Sequence, residues 1–94
     1  MPKRTDDNQK DIVKTFRDFG YSVYILSMVG KGFPDIIVSK DGVNYLFEIK
    51  NDKRPPSAQK LTPAEQMFFD SWQGHVEIIN SVQSVVQFVL KQAA

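Results

Sequence analysis

The 94-residue chain contains no cysteine. That excludes disulfide scaffolds, cysteine–zinc sites and thiol catalysis, and it suits a cytoplasmic setting. No apolar run approaches the ~18 residues that a membrane span requires. The N-terminal MPKRTDDNQK carries charges with no apolar stretch behind them, so neither a secretory signal nor a membrane role is expected. Histidine occurs once, at His75 behind Gly74. That is a place for a helix cap or a strand start, and His75 is not assigned to catalysis. No repeat, low-complexity tract or linker divides the chain, so residues 1–94 read as a single domain. Hydrophobic residues at 41% and charged residues at 24% are ordinary globular usage and speak against disorder. A domain this small buries only about 60–65% of the surface its unfolded chain exposes, so a second copy would add useful buried surface.

Net charge is also nearly absent, at +1. Its distribution is uneven. Residues 1–60 hold 11 Lys/Arg against 8 Asp/Glu, while residues 61–94 hold one against three. A mildly basic half does not by itself define a nucleic-acid surface. It needs a site beside it.

Local patterns divide the chain into seven elements. Asp7 and Asn8 are candidate N-caps for a helix over Gln9–Phe19, with Ile12, Val13, Phe16 and Phe19 at helical spacing and Gly20 as the stop. Tyr21–Met28 reads as a strand. After the break at 30–34 come strands over Asp35–Ser39 and Val43–Asn51, joined by the hairpin signal Asp41-Gly42. The polar, basic loop Asp52–Lys60 leads to Thr62-Pro63-Ala64-Glu65. This combines an N-cap, a proline at the first helical position and a capping-box Glu. The helix it opens runs to about Gln73, with Ala64, Met67, Phe68 and Trp72 expected to face the core. A strand over His75–Asn80 and a helix capped by Ser81, with Val82, Val85, Val86 and Val89 on one face, complete the chain. The order α-β-β-β-α-β-α, with a crossover placing the fourth strand parallel to the third, predicts an α/β fold. Ile36, Val38, Tyr45, Phe47 and Ile49 point to one face, and Ile37 and Leu46 to the other. A sheet apolar on both faces needs helices on both.

The hairpin has a chemical consequence. With Asp41-Gly42 as a two-residue turn, cross-strand partners have numbers summing to 83, so Asp35 lies opposite Glu48. Their Cβ atoms are then about 4.5–5.5 Å apart, on one face. Lys50, two residues on, shares that face. A four-residue loop with the same centre keeps this register, whereas an odd loop or a bulge shifts it by one. Two opposed carboxylates on a covered face require neutralisation. A hard divalent cation supplies it, because Mg²⁺ takes one or two carboxylates plus waters and substrate phosphate. Lys50 beside such a metal would orient or activate a water and offset phosphate charge. The competing reading is a solvated Glu48–Lys50 ion pair at a strand end, the commoner outcome for an arbitrary D…ExK pattern. The register, the apolar face and the adjoining basic loop favour a site.

Gly32-Phe33-Pro34-Asp35, Glu48-Ile49-Lys50 and Gln66 behind a Leu-Thr-Pro lead-in together resemble the PD-(D/E)XK nuclease superfamily. Within it they resemble the VRR-NUC (virus-type replication-repair nuclease) family. The likeness covers about residues 9–85. It implies a restriction-endonuclease-like αβββαβ core, a four-stranded mixed sheet flanked by helices. It further implies Mg²⁺- or Mn²⁺-dependent hydrolysis of DNA phosphodiesters, with Asp35, Glu48 and the backbone carbonyl of Ile49 holding the metal, Lys50 assisting the water, and Gln66 joining the site near Lys50. A residue of the first helix often takes part in this family. Gln9 is the candidate here, with Asp6 or Asp7 as alternatives. Stand-alone members resemble Holliday-junction resolvases, homodimers that cut branched DNA, and many are phage-encoded. The implied setting is the cytoplasm of a bacterial or phage-infected host cell.

Lys31, Lys53, Arg54 and Lys60 are candidate contacts to DNA phosphates. Gly30-Lys31-Gly32 lacks Walker spacing and precedes a strand, so no nucleotide cofactor is expected. Two sites related by a two-fold axis would suit symmetric cutting of a junction, so a C2 homodimer is expected. Two other readings stand beside the nuclease: a nucleic-acid-binding module that keeps the fold without cutting, and a small α/β adaptor with no salt-dependent DNA affinity.

Overall fold

A hairpin turn sets the sheet. The structure, a computed structural model, describes residues 7–94. In it Asp41 (φ 53°) and Gly42 (φ 81°) both adopt the left-handed conformation, as a two-residue turn matching the right-handed twist of its strands demands. The turn joins β2 (Ile36–Lys40) to β3 (Val43–Ile49). Their pairing runs from Lys40↔Val43 to Ile36↔Phe47, antiparallel, so every pair sums to 83 as the turn requires. β1 (Ser22–Ile25) pairs antiparallel with β2, and β4 (Val76–Ile79) pairs parallel with β3. The resulting mixed sheet has order β1-β2-β3-β4.

Three α-helices flank this sheet among the described residues: α1 (Gln9–Asp18), α2 (Pro63–Ser71) and α3 (Val82–Ala93). The protein is therefore α/β with a four-stranded mixed sheet and helices on both faces. On one face Ile12, Val13 and Phe16 of α1 and Val85, Phe88 and Val89 of α3 bury Val23, Ile36, Val38, Phe47, Ile49 and Ile79, with Tyr45 packed alongside. Phe16 and Phe88 both lie against Phe47. On the other face α2 covers the sheet beside Phe33, which meets Phe68 edge-on. Beyond that pair lies an apolar groove of about 520 Å³ between Leu26, Val29, Ile37, Leu46 and Trp72. No helix among the described residues is long and apolar enough to cross a membrane.

Several expected boundaries move. β1 ends at Ile25 rather than Met28: the Leu26 N–H makes one more in-register bond to the Asp35 carbonyl, and Val29 then closes a turn onto Leu26. α2 ends at Ser71, with Trp72 already extended. Asn8 occupies the α1 N-cap position without a capping hydrogen bond. Its amide instead donates to the Lys50 and Asn80 carbonyls at 2.9 and 3.0 Å, stapling the helix start to the ends of two strands. The capping box at Thr62 forms as read, and the expected cap at Ser81 forms as a second capping box, with Ser84.

The larger correction concerns α2. Its one buried side chain is Glu65. Met67 is 72% exposed and Trp72 44% exposed, and Ala64 is exposed, while Phe68 and Phe69 are half-buried. The helix is rotated about its axis from the expected setting. A buried ammonium at the end of β3 draws Glu65 inward, and that contact overrides a weak apolar stripe.

Candidate active site

Asp35 stands at the entry to β2, just ahead of the last ladder pair, and its N–H donates to the Phe47 carbonyl at 3.0 Å. That bond is one residue off the register, so the ladder ends at Ile36↔Phe47 and Asp35 lies just beyond it, beside the end of β3. Its Oδ2 accepts the Ile49 N–H at 2.8 Å, which anchors the carboxylate to the edge of β3. Pro34 is fully buried. The preceding turn is seated on α2: a Cβ at Gly32 (φ 80°) would lie 2.5 Å from the Ala64 carbonyl carbon and oxygen. Only glycine fits that approach.

Glu48 in β3 and Lys50, the residue after its end, lie on the face toward α2. The Lys50 N–H donates to the Ile79 carbonyl, so β4 holds the backbone. The Lys50 ammonium donates to Glu65 Oε1 at 2.8 Å and lies 3.8 Å from Glu48 Oε2. The four side chains are almost enclosed: Glu48 is 1% exposed, Asp35 5%, Glu65 6% and Lys50 8%. Three carboxylates and one ammonium thus share a largely dry site, where charges interact far more strongly than in water.

Glu65 is the residue that the sequence reading missed as a site member. It was legible only as the capping-box Glu of Thr62-x-x-Glu65. The same Oε1 that accepts Lys50 also accepts the Thr62 N–H at 2.8 Å, while Thr62 Oγ1 accepts the Glu65 N–H at 3.2 Å. Burial opposes ionisation of Glu65. Hydrogen bonds from Lys50 and the Thr62 N–H, contact with Glu48 and the attraction of the Lys50 charge outweigh it and hold the carboxyl below the usual glutamate range. No local signal ties residue 65 to residue 50, because the tie exists only once α2 docks.

The other expected site residues are placed as follows. Gln66 is not brought to Lys50. It is exposed and donates to Asp70 Oδ1 at 2.8 Å, because an α-helix turns ~100° per residue and Glu65 takes the inward position. Gln9 is buried in the first turn of α1, where it lines a groove with Val13, Arg17 and Ile25. The α1-end side chain that touches the Lys50 backbone is Asn8. Asp7 is exposed and lies 3.9 Å from Arg54, and Asp6 falls outside the described residues. Lys31, Lys53 and Lys60 are exposed and Arg54 is half-buried. Their loop is folded rather than open. A 3₁₀ turn over Pro56–Gln59 closes it, and Gln59 donates to the Arg54 carbonyl at 2.7 Å. His75 packs on Tyr45, ring centroids 4.8 Å apart.

Among the described residues no group of three His, Cys, Asp or Glu side chains is arranged to hold a metal ion. The Asp35–Glu48 pair is a smaller set of hard oxygen donors. Carboxylate oxygens are the donor type that Mg²⁺ takes, one or two at a time, with waters and phosphate completing its shell. Compared with protein-family models, curated proteins and solved structures, the chain matches none.

Proposed function

We propose that this protein is a metal-dependent DNA endonuclease of PD-(D/E)XK type, similar to the VRR-NUC family, acting on branched DNA such as Holliday junctions. One observation supports the reading: the Asp35 carboxylate is tied to the N–H of Ile49, the residue between Glu48 and Lys50, and the Lys50 ammonium lies 3.8 Å from Glu48. Asp35, Glu48 and the Ile49 carbonyl would hold Mg²⁺ or Mn²⁺. Such an ion, when bound, polarises a phosphodiester and lowers the pKa of a bound water.

The chain's own groups supply the rest. The Ile49 N–H fixes one oxygen of Asp35, which orients the other. Lys50, held among carboxylates, offers ammonium protons to orient a water or to offset charge on the phosphate. Lys31, Lys53, Arg54 and Lys60 give backbone contacts whose affinity falls with salt. A C2 homodimer would present two such sites to the paired strands of a junction. The second reading, a nucleic-acid-binding module without cleavage, is favoured by the near-complete burial of all four side chains and by the engagement of Lys50 with Glu65.

Cleavage of a panel of four-way, flapped and linear DNAs with Mg²⁺ or Mn²⁺ separates the two. The nuclease reading expects cutting that EDTA abolishes and that Asp35→Asn removes. The asparagine keeps an oxygen for the Ile49 N–H, so the variant should stay folded. An Asp35→Asn protein cutting at the wild-type rate would sink the site assignment. Salt-dependent binding with no cutting on any substrate would favour the binding module. A monomer in light scattering at micromolar concentration counts against the resolvase form and leaves the chemistry standing.

A further inference from the structure

We infer that Glu65 is a positioning residue for Lys50: its carboxylate, at the start of α2, fixes the ammonium in its working place beside Glu48. The inference rests on the nuclease reading above and adds to it a residue from outside the Asp35, Glu48 and Lys50 set.

The geometry is specific. A lysine stem has four rotatable bonds, and an amine at its end needs a partner to hold one position. Glu65 Oε1 is that partner at 2.8 Å, whereas Glu48 Oε2 stands off at 3.8 Å. The holding oxygen is itself immobilised, because it also accepts the Thr62 N–H at 2.8 Å and belongs to the first turn of a helix closed by Thr62. Glu65 is 6% exposed, so water does not compete freely for the contact. A capping-box Glu needs only to reach back to its own N-cap. This one does so while turned inward onto an ammonium fifteen residues upstream, and Gln66 is left on the solvent side. Positioning a catalytic amine in this way leaves the other ammonium protons for water or phosphate.

Two substitutions separate positioning from helix capping. Glu65→Gln keeps the shape and an oxygen for the Thr62 N–H but removes the charge that holds Lys50. Thr62→Ala removes the hydroxyl cap and leaves the Glu65–Lys50 contact. Steady-state cleavage of a four-way junction with Mg²⁺ is read per folded protein, with folding followed by circular dichroism and thermal melting. Glu65→Gln is expected to lower kcat about tenfold to a hundredfold, the range seen when an outer-shell partner of a site is lost, with KM for DNA unchanged. Thr62→Ala is expected to lower the melting temperature and leave kcat unchanged. If Glu65→Gln does not fold, Glu65→Asp carries the test, since its shorter stem withdraws the charge from Lys50. A loss of kcat at constant KM supports the inference and a wild-type kcat overturns it. Folded Glu65→Gln with wild-type kcat overturns it, and so does Thr62→Ala with an equal loss of kcat. If the wild-type protein cuts none of the DNAs, the nuclease reading fails and the inference falls with it. That outcome is distinct from a cutting enzyme indifferent to residue 65.

Discussion

Replacing Lys50 by methionine keeps the aliphatic stem and removes only the charge. In the folded protein Lys50 is 8% exposed, and its ammonium lies 2.8 Å from Glu65 and 3.8 Å from Glu48. Breaking a buried pair by deleting one partner costs about 3–5 kcal/mol, because the other charge stays behind without compensation. Total stability for a domain of this size is about 5–15 kcal/mol, so Lys50→Met should consume a large share of it. Glu65→Gln should cost less, about 1–3 kcal/mol, since the amide oxygen still accepts a hydrogen bond. The double variant should be more stable than the sum of the singles predicts, with a coupling of about 1–3 kcal/mol. Urea unfolding followed by circular dichroism, and by the fluorescence of the single tryptophan, Trp72, measures all four corners of the cycle. The coupling should survive in 1 M salt, where the Debye length of about 3 Å screens exposed pairs but buried ones far less. The Lys50→Met penalty should shrink on acidification, because a buried carboxylate without its cation is relieved by protonation. Additivity within about 0.5 kcal/mol, or a coupling abolished by salt, would refute the claim that this pair is buried and interdependent. Lys50→Ala is for the same reason a poor catalytic control by itself, and Asp35→Asn is the cleaner one.

Wild-type stability should also decline in acid in a defined sense. The folded-state pKa of Glu65 is lowered, so its contribution is fully present above the unfolded glutamate value, near pH 4.3. It is lost as pH falls through the lower folded value, and a stability curve flat through this window contradicts the assigned contacts. Gly32→Ala should destabilise the protein by well over 1 kcal/mol. The added Cβ meets the Ala64 backbone at 2.5 Å and the φ of 80° is strained for alanine. A melting temperature equal to wild type would show that the 30–34 turn does not sit on α2 as described.

The hairpin that carries the candidate residues was legible in advance, for a local reason. Asp41-Gly42 accepts the two left-handed conformations of a tight hairpin, and side chains alternate along strands with period two. Those two facts are enough to set Glu48 and Lys50 on one face, and the register they require holds as far as Ile36↔Phe47, where the Asp35 N–H steps off it by one residue. Thr62 and Ser81 closed their helices as read, since a capping box involves only four consecutive residues. The expected roles of Gln66 and of the Met67 and Trp72 face were not realised in α2. Met67, Phe68 and Phe69 are adjacent rather than spaced on one stripe, so the helix has no strong rotational preference of its own. Asn8 likewise resembled an N-cap, yet the carbonyls of Lys50 and Asn80, 42 and 72 residues away, claim its amide.

The amino-acid sequence by itself thus determined the order of elements, the hairpin register and the shared face of Glu48 and Lys50. All three follow from turn chemistry and periodicity within a few residues. Only the tertiary structure decided which side of α2 faces the sheet, and with it that Glu65 rather than Gln66 meets Lys50. A buried ammonium must find a counter-charge, and a helix with a weak apolar stripe turns to provide one.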